Sequence, residues 1–115
     1  SDAENAGRAV EFRTEGAEGL RSIKAANWNA LTDGAHGITL VGDTWQFQGA
    51  STTDGIFTRT VTIASLGSNT KIATTTVTWQ TDPQRVQKIE SAEKLSNWIN
   101  PAQGSCKMGP LSGNF

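Results

Sequence analysis

No segment of this 115-residue chain approaches the roughly 20 consecutive apolar residues that a membrane-spanning helix requires. The first residues, "SDAENAGRAV", lack the order of a secretory signal peptide and read as a start inside a longer segment. Cys106 is alone, which excludes an internal disulfide and a multi-cysteine metal site, and its Gly/Ser/Pro-rich surroundings suit an incidental thiol. His36 is the only histidine, so a Ser-His-Asp triad would have to run through it. Its place in "DGAHGI" suits instead a solvent-exposed imidazole in a turn. Neither sign of charge dominates: 10 Lys and Arg face 11 Asp and Glu, for a net charge of −1. That balance gives no electrostatic case for nucleic acid or an anionic membrane surface. There is no glycine-rich phosphate loop after a strand, and aromatics are not interleaved with basic residues. "LTDG" and "STTDG" lack the dense acidic spacing of a calcium loop and read as ordinary turns. The sequence therefore nominates no catalytic residue, no metal ligand and no cofactor.

What is present is enough for one core. Tyrosine is absent, but four Trp and four Phe supply large apolar groups, and 12 Gly suit a β-rich chain with many turns. Trp28, Trp45, Trp79 and Trp98 could form a stacking platform for sugars; core packing is the simpler use of such rings in a small domain. From Ala3 to Leu31 the composition is helical, with Val10, Ala17, Leu20, Ile23, Trp28 and Leu31 close to one stripe. Gly7, Gly16 and Gly19 each cost such a helix about 1 kcal/mol relative to Ala, so it needs a packing partner. "TDG" at 32–34 can end it.

Beyond the turn the period falls to two. "GITLVGDTWQFQG" predicts a hairpin about Gly42-Asp43, anchored by Ile38, Leu40, Trp45 and Phe47. "IFTRTVTIAS" puts Phe57, Val61 and Ile63 on one face and Thr58, Thr60 and Thr62 on the other. Arg59 falls on the apolar face, which suggests a place near a sheet end. "KIATTTVTWQ" alternates again, Ala73, Thr75, Val77 and Trp79 against Ile72, Thr74, Thr76 and Thr78. The two runs predict an antiparallel pair with one apolar and one threonine-rich solvent face. Residues 81–100 are ambiguous. Asp82-Pro83 followed by Val86, Ile89, Ala92 and Leu95 reads locally as a helix. As a strand the same stretch would place Ile89, Ser91, Glu93 and Leu95 on one face. From Pro101 no period is visible. The expected class is α+β: one long N-terminal helix packed on an antiparallel sheet of about four to five strands, each burying the other's apolar side. Within this single domain the helix takes 1–31, the sheet 37–98 and an irregular tail 99–115.

The ordered pieces "EGLRSIKAANWNALTDG" (Glu18 to Gly34), "FTRTVTI" (Phe57 to Ile63), "TVTW" (Thr76 to Trp79) and "LSNW" (Leu95 to Trp98) are similar to the globular part of bacterial type IV pilin-like proteins, small minor pilins above all. The match spans about residues 15–98. The chain lacks the cysteine pair that brackets a C-terminal loop in many major pilins. The resemblance implies a strand over 84–98, which we take over the local helix signal because tertiary context overrides propensity. It also implies an apolar helix half before Ser1, preceded by a leader with a peptidase site, so that this chain is a fragment expected to be monomeric.

The function so implied is that of a structural subunit, a minor pilin or pseudopilin of a type IV pilus or type II secretion pseudopilus. Its partners would be other pilin subunits, with the inner membrane holding it through the apolar helix before assembly. Its final location would be an extracellular filament. Subunit contacts are expected on the helix face away from the sheet, at Arg8, Glu11, Arg13, Glu15, Glu18, Arg21 and Lys24. The alternative is an extracellular surface binding module or adhesin without catalytic activity, using the threonine-rich face or the loops 33–37 and 51–55.

Overall fold

The computed structural model describes residues 2–97. Helix α1 runs Asp2–Ala26 and is followed by a 3-10 turn, Trp28–Ala30. Seven strands follow: β1 Gly34–His36, β2 Ile38–Val41, β3 Thr44–Phe47, β4 Thr52–Asp54, β5 Phe57–Gly67, β6 Thr70–Asp82 and β7 Arg85–Ser96. The expected class holds: one N-terminal helix and an antiparallel sheet of five strands. Its order is β1-β5-β6-β7, and β4 shares the outer edge of β5 with β1.

The helix ends at Ala26, five residues short of the expected Leu31. Asn27 is extended and its side-chain oxygen accepts from the Asn29 amide at 3.0 Å. That cap starts the 3-10 turn, and Leu31 is buried from beyond it. The buried side of α1 comprises Ala9, Gly16, Ala17, Gly19, Leu20 and Ile23. Val10 is not among them and is exposed. The spacing of Ala9, Gly16, Leu20 and Ile23 is the true stripe, and glycine stands in it for a reason. A Cβ on Gly19 would lie 2.6 Å from the Trp45 ring and 3.1 Å from Ile38 Cδ1. The helix backbone thus comes close to the sheet side only where side chains are missing.

Strands β5 and β6 alternate as their sequences require. Phe57, Val61 and Ile63 from β5 and Ala73, Thr75, Val77 and Trp79 from β6 are buried beneath the helix. Two apolar clusters result. One gathers Leu20, Ile23, Leu31, Ile38, Val61, Ile63, Ala73 and Leu95; the other joins Ala9 to Phe57, Val77 and Trp79.

The stretch with a helical spacing is a strand, Arg85–Ser96, paired along β6. The β6 register places Ile89 opposite Val77, Glu93 opposite Ala73 and Leu95 opposite Lys71. Ile89 and Leu95 join the core and Val86 is exposed. Two pairing gains outweigh the helix signal: β6 is satisfied along both edges, and the helix-facing side keeps its two apolar residues. The hairpin β2–β3 forms about Gly42-Asp43, with Gly42 at φ 63° and Ile38 opposite Phe47. It is a separate two-stranded sheet rather than part of the main one. Of its four expected anchors Ile38 is buried, Trp45 and Phe47 are half-buried, and Leu40 is exposed.

Candidate interaction surface

Arg59 is where helix, hairpin and sheet meet. It lies on the inner face of β5, two residues from the strand's start, between Thr52 and Val77, and is 2% exposed. Its Nη1 donates to the Phe12 carbonyl and to Glu15 Oε1, both at 2.9 Å; its Nη2 donates to the Ile38 carbonyl at 2.7 Å. The guanidinium carbon stands 4.0 Å from the centre of the Phe12 ring. A buried guanidinium is costly unless its donors find acceptors. Here a carboxylate, two carbonyls and a ring face serve four of its contacts, while Nε has no hydrogen-bond partner. The sequence signal for this clip was there in two halves: an arginine on an apolar strand face, and glycines in the helix facing it.

The seven charged helix residues divide by position. Arg8 reaches the sheet, 5.4 Å from the centre of the Phe57 ring. Glu15 turns to Arg59, and Arg21 Nε pairs with Glu93 Oε2 of β7 at 3.3 Å. Those three therefore flank the helix–sheet seam instead of pointing away from it. Glu11 and Glu18 are exposed and make no ion pair among the described residues; Arg13 and Lys24 are half-buried and likewise make none. A polar cleft between α1 and β4 is lined by Arg8, Glu11, Phe12, Glu15, Asp54 and Phe57.

His36 is not the solvated turn residue its neighbours suggest. It is half-buried, stacks on Phe47 with centroids 4.4 Å apart, and its Nε2 donates to the Thr32 carbonyl at 2.6 Å. Its contacts among the described residues are Phe47 and Thr32, and they orient the turn. Nearby, Ser65 Oγ donates to Asp33 Oδ1 at 2.8 Å, and Lys71 Nζ donates to the same oxygen at 3.1 Å and to Ser65 at 2.9 Å. The Ser65 hydroxyl first, and the Lys71 ammonium second, hold the Asp33 carboxyl below its ordinary range. This knot ties the start of β1 to the β5–β6 turn.

The three tryptophans among the described residues do not share one exposed surface. Trp79 is buried in one core cluster, while Trp28 and Trp45 are half-buried against the other. Trp45 and Phe47 do line an apolar pocket of about 310 Å³ with Ile23, Ala26, Asn27 and Ala30 at the end of α1. Trp98 and Cys106 lie outside the described residues.

On the outer face of the sheet the threonines form an array. Thr58 stands opposite Thr78, Thr60 opposite Thr76 and Thr62 opposite Thr74. The helix covers only the other face. Among the described residues no group of three or more His, Cys, Asp or Glu is arranged to hold a metal, and no helix is long and apolar enough to cross a membrane. No protein-family model, no curated protein and no solved structure matches this chain.

Proposed function

We propose that this chain is the globular part of a type IV pilin-like structural subunit, a minor pilin or a pseudopilin. The observation that carries the reading is the arrangement itself: an N-terminal helix of 25 residues laid across the inner face of an antiparallel sheet. The segments that resemble pilins occupy consistent places in it. Glu18 to Gly34 covers the end of α1, the 3-10 turn and the entry to β1; Phe57 to Ile63 and Thr76 to Trp79 are the buried halves of β5 and β6; Leu95 closes β7 against the core. The subunit would work by packing, through a helix extended N-terminally into a shared apolar core, while the sheet faces outward. No chemical step is required of it.

The test is to trace the full-length protein in sheared surface filaments and in membranes. Recovery with filaments, and in the membrane when partner subunits are deleted, is the expected result. Release as a free soluble protein, with no filament or membrane fraction, overturns the proposal. The 115-residue chain alone is expected to be monomeric at micromolar concentration in light scattering, since among the described residues the exposed large apolar side chains are scattered, Leu40 and Val41 being the one adjacent pair. A second reading, a surface binding module, draws on the uncovered threonine array. A dimer of this chain that persists on dilution, or an ordinary signal peptide encoded upstream, would favour it.

A further inference from the structure

The net charge of −1 conceals a division across the width of the molecule. One flank of α1 is acidic. Glu11 and Glu15 are four residues apart and Glu18 follows by three, so like charges stand on neighbouring turns. The cleft beside them adds Asp54 of β4, with Arg8 as its cation. Only Glu15 of these carboxylates is neutralised by an ion pair, to Arg59. Like charges at this spacing destabilise a helix, and among the described residues Glu11 and Glu18 form no ion pair: Arg8 and Arg21, each three residues away, are turned to Phe57 and to Glu93.

The opposite flank of α1 meets β7. The Arg21–Glu93 pair and the groove that Ala6 shares with Trp79, Gln87, Lys88 and Ile89 fix that side. Arg13 and Lys24 fall in the same row as Ala6, at steps of seven and eleven residues. With Arg21 they lie on the β7 side, where Lys88 lines the same groove as Asp2 and Ala6; Glu90 and Lys94 stand on the outer face of β7, opposite Thr76 and Ile72. Arg21 is the only cation of this flank with an ion pair among the described residues.

We infer that the acidic flank of α1, Glu11 and Glu18 with Asp54, docks on the basic flank, Arg13 and Lys24 with β7, of a second copy of this chain. The two patches are different surfaces of one molecule. The contact is therefore head-to-tail and leaves a free patch at each end, so it adds further copies, as an open chain or a ring according to its rotation, instead of closing as a two-fold dimer. Charge complementarity sets its register, and because both patches are solvated the contact is weak in the isolated chain and is screened by salt. This rests on the subunit reading and names the surfaces by which such a subunit would meet its neighbour.

The test mixes isotopically heavy and light copies of the 115-residue chain at high concentration and low ionic strength, and couples carboxylates to lysines with a zero-length carbodiimide. Heavy–light linked peptides joining Glu11 or Glu18 to Lys24 or Lys88 are expected, and they disappear in high salt. The variant E11K/E18K alone, and R13E/K24E alone, should give none. Mixing the two variants restores inter-chain links, now between position 11 or 18 of the first and position 13 or 24 of the second. Absence of links in the unaltered chain, or failure of the mixture to restore them, overturns the inference. Filament tracing is independent of this outcome. Links without filaments leave the surface standing and remove the subunit reading; filaments without links do the reverse.

Discussion

Gly16 and Arg59 fit together because one has no side chain. A Cβ on Gly16 would stand 2.7 Å from Cδ of Arg59, 3.1 Å from its Nε and 3.3 Å from the Thr75 methyl. The arginine stem crosses the helix at that gap on its way to Phe12, Glu15 and Ile38.

Gly16→Ala should therefore destabilise the fold, although alanine is the better helix former. The propensity gain is about 1 kcal/mol, while overpacking a filled site costs about 1–3 kcal/mol. The Arg59 stem is flexible but is tied at its far end, so it cannot swing aside without losing its acceptors. Urea denaturation checks this, with Gly7→Ala as the control: a Cβ there meets nothing within 4 Å and should stabilise. A stabilised Gly16→Ala would show that the stem moves freely.

Arg59→Ala and Arg59→Met should separate volume from charge. Alanine leaves a hole under the helix and should cost about 2–5 kcal/mol, as for other large-to-small core changes. Methionine fills most of that space and removes a desolvated charge, so its cost should be much smaller. The acceptors left behind have alternatives. The Ile38 carbonyl also accepts from Thr52 Oγ1 at 2.9 Å, and the Glu15 side chain is 55% exposed to water. Equal losses for the two variants would mean that the guanidinium bonds, not the packing, hold the helix.

Leu20→Ala probes the larger cluster. Leu20 is fully buried between α1, the hairpin and the sheet, so the loss should be about 2–5 kcal/mol. A change below about half a kcal/mol, the range of neutral surface substitutions, would put the helix outside the core.

Asp33 gives a signed pH dependence. Its carboxyl titrates below its ordinary 3.8 in the folded chain, chiefly through Ser65 and then Lys71. A depressed carboxyl stabilises the fold above its unfolded value, and that contribution fades as pH falls through the folded one. Asp33→Asn should thus lower stability at neutral pH and flatten the acid limb below about pH 4. Added salt should shrink the difference, since the side chain is solvated. Parallel acid limbs for the two proteins would remove the Asp33–Ser65–Lys71 knot from the account.

Where local pattern and tertiary use coincide, the chain was readable. In β5 and β6 the buried inward residues, Arg59 apart, are apolar or a small threonine, and period two reports the sheet directly. In β7 only Ile89 and Leu95 are apolar on the inner side; Glu93 between them looks wrong until Arg21 is seen to reach it from the helix. Val86 and Ala92 on the outer side then complete a false helical spacing. Leu31 misled in the same way. It is buried from beyond the 3-10 turn, so an apolar residue in phase with the helix lies outside it. Arg59 was the largest departure. Its place near the start of β5 was legible; its full burial was not, because its acceptors come from residues 12, 15 and 38, which only the fold brings together. The charged helix residues were legible as a set, but their division into two flanks depended on which side β7 and β4 occupy.

The way α1 is fastened also fixes how the molecule carries a mechanical load. The helix lies on the sheet along much of its length, with Ala9, Leu20 and Ile23 in the core and Arg59 gripping its backbone at Phe12. Tension applied at Asp2 along the helix axis acts in shear on these attachments together. They must fail jointly rather than peel one by one, and the lifetime under tension is then set by a single high unfolding barrier. A pull across the axis would instead open the Ala9 end first.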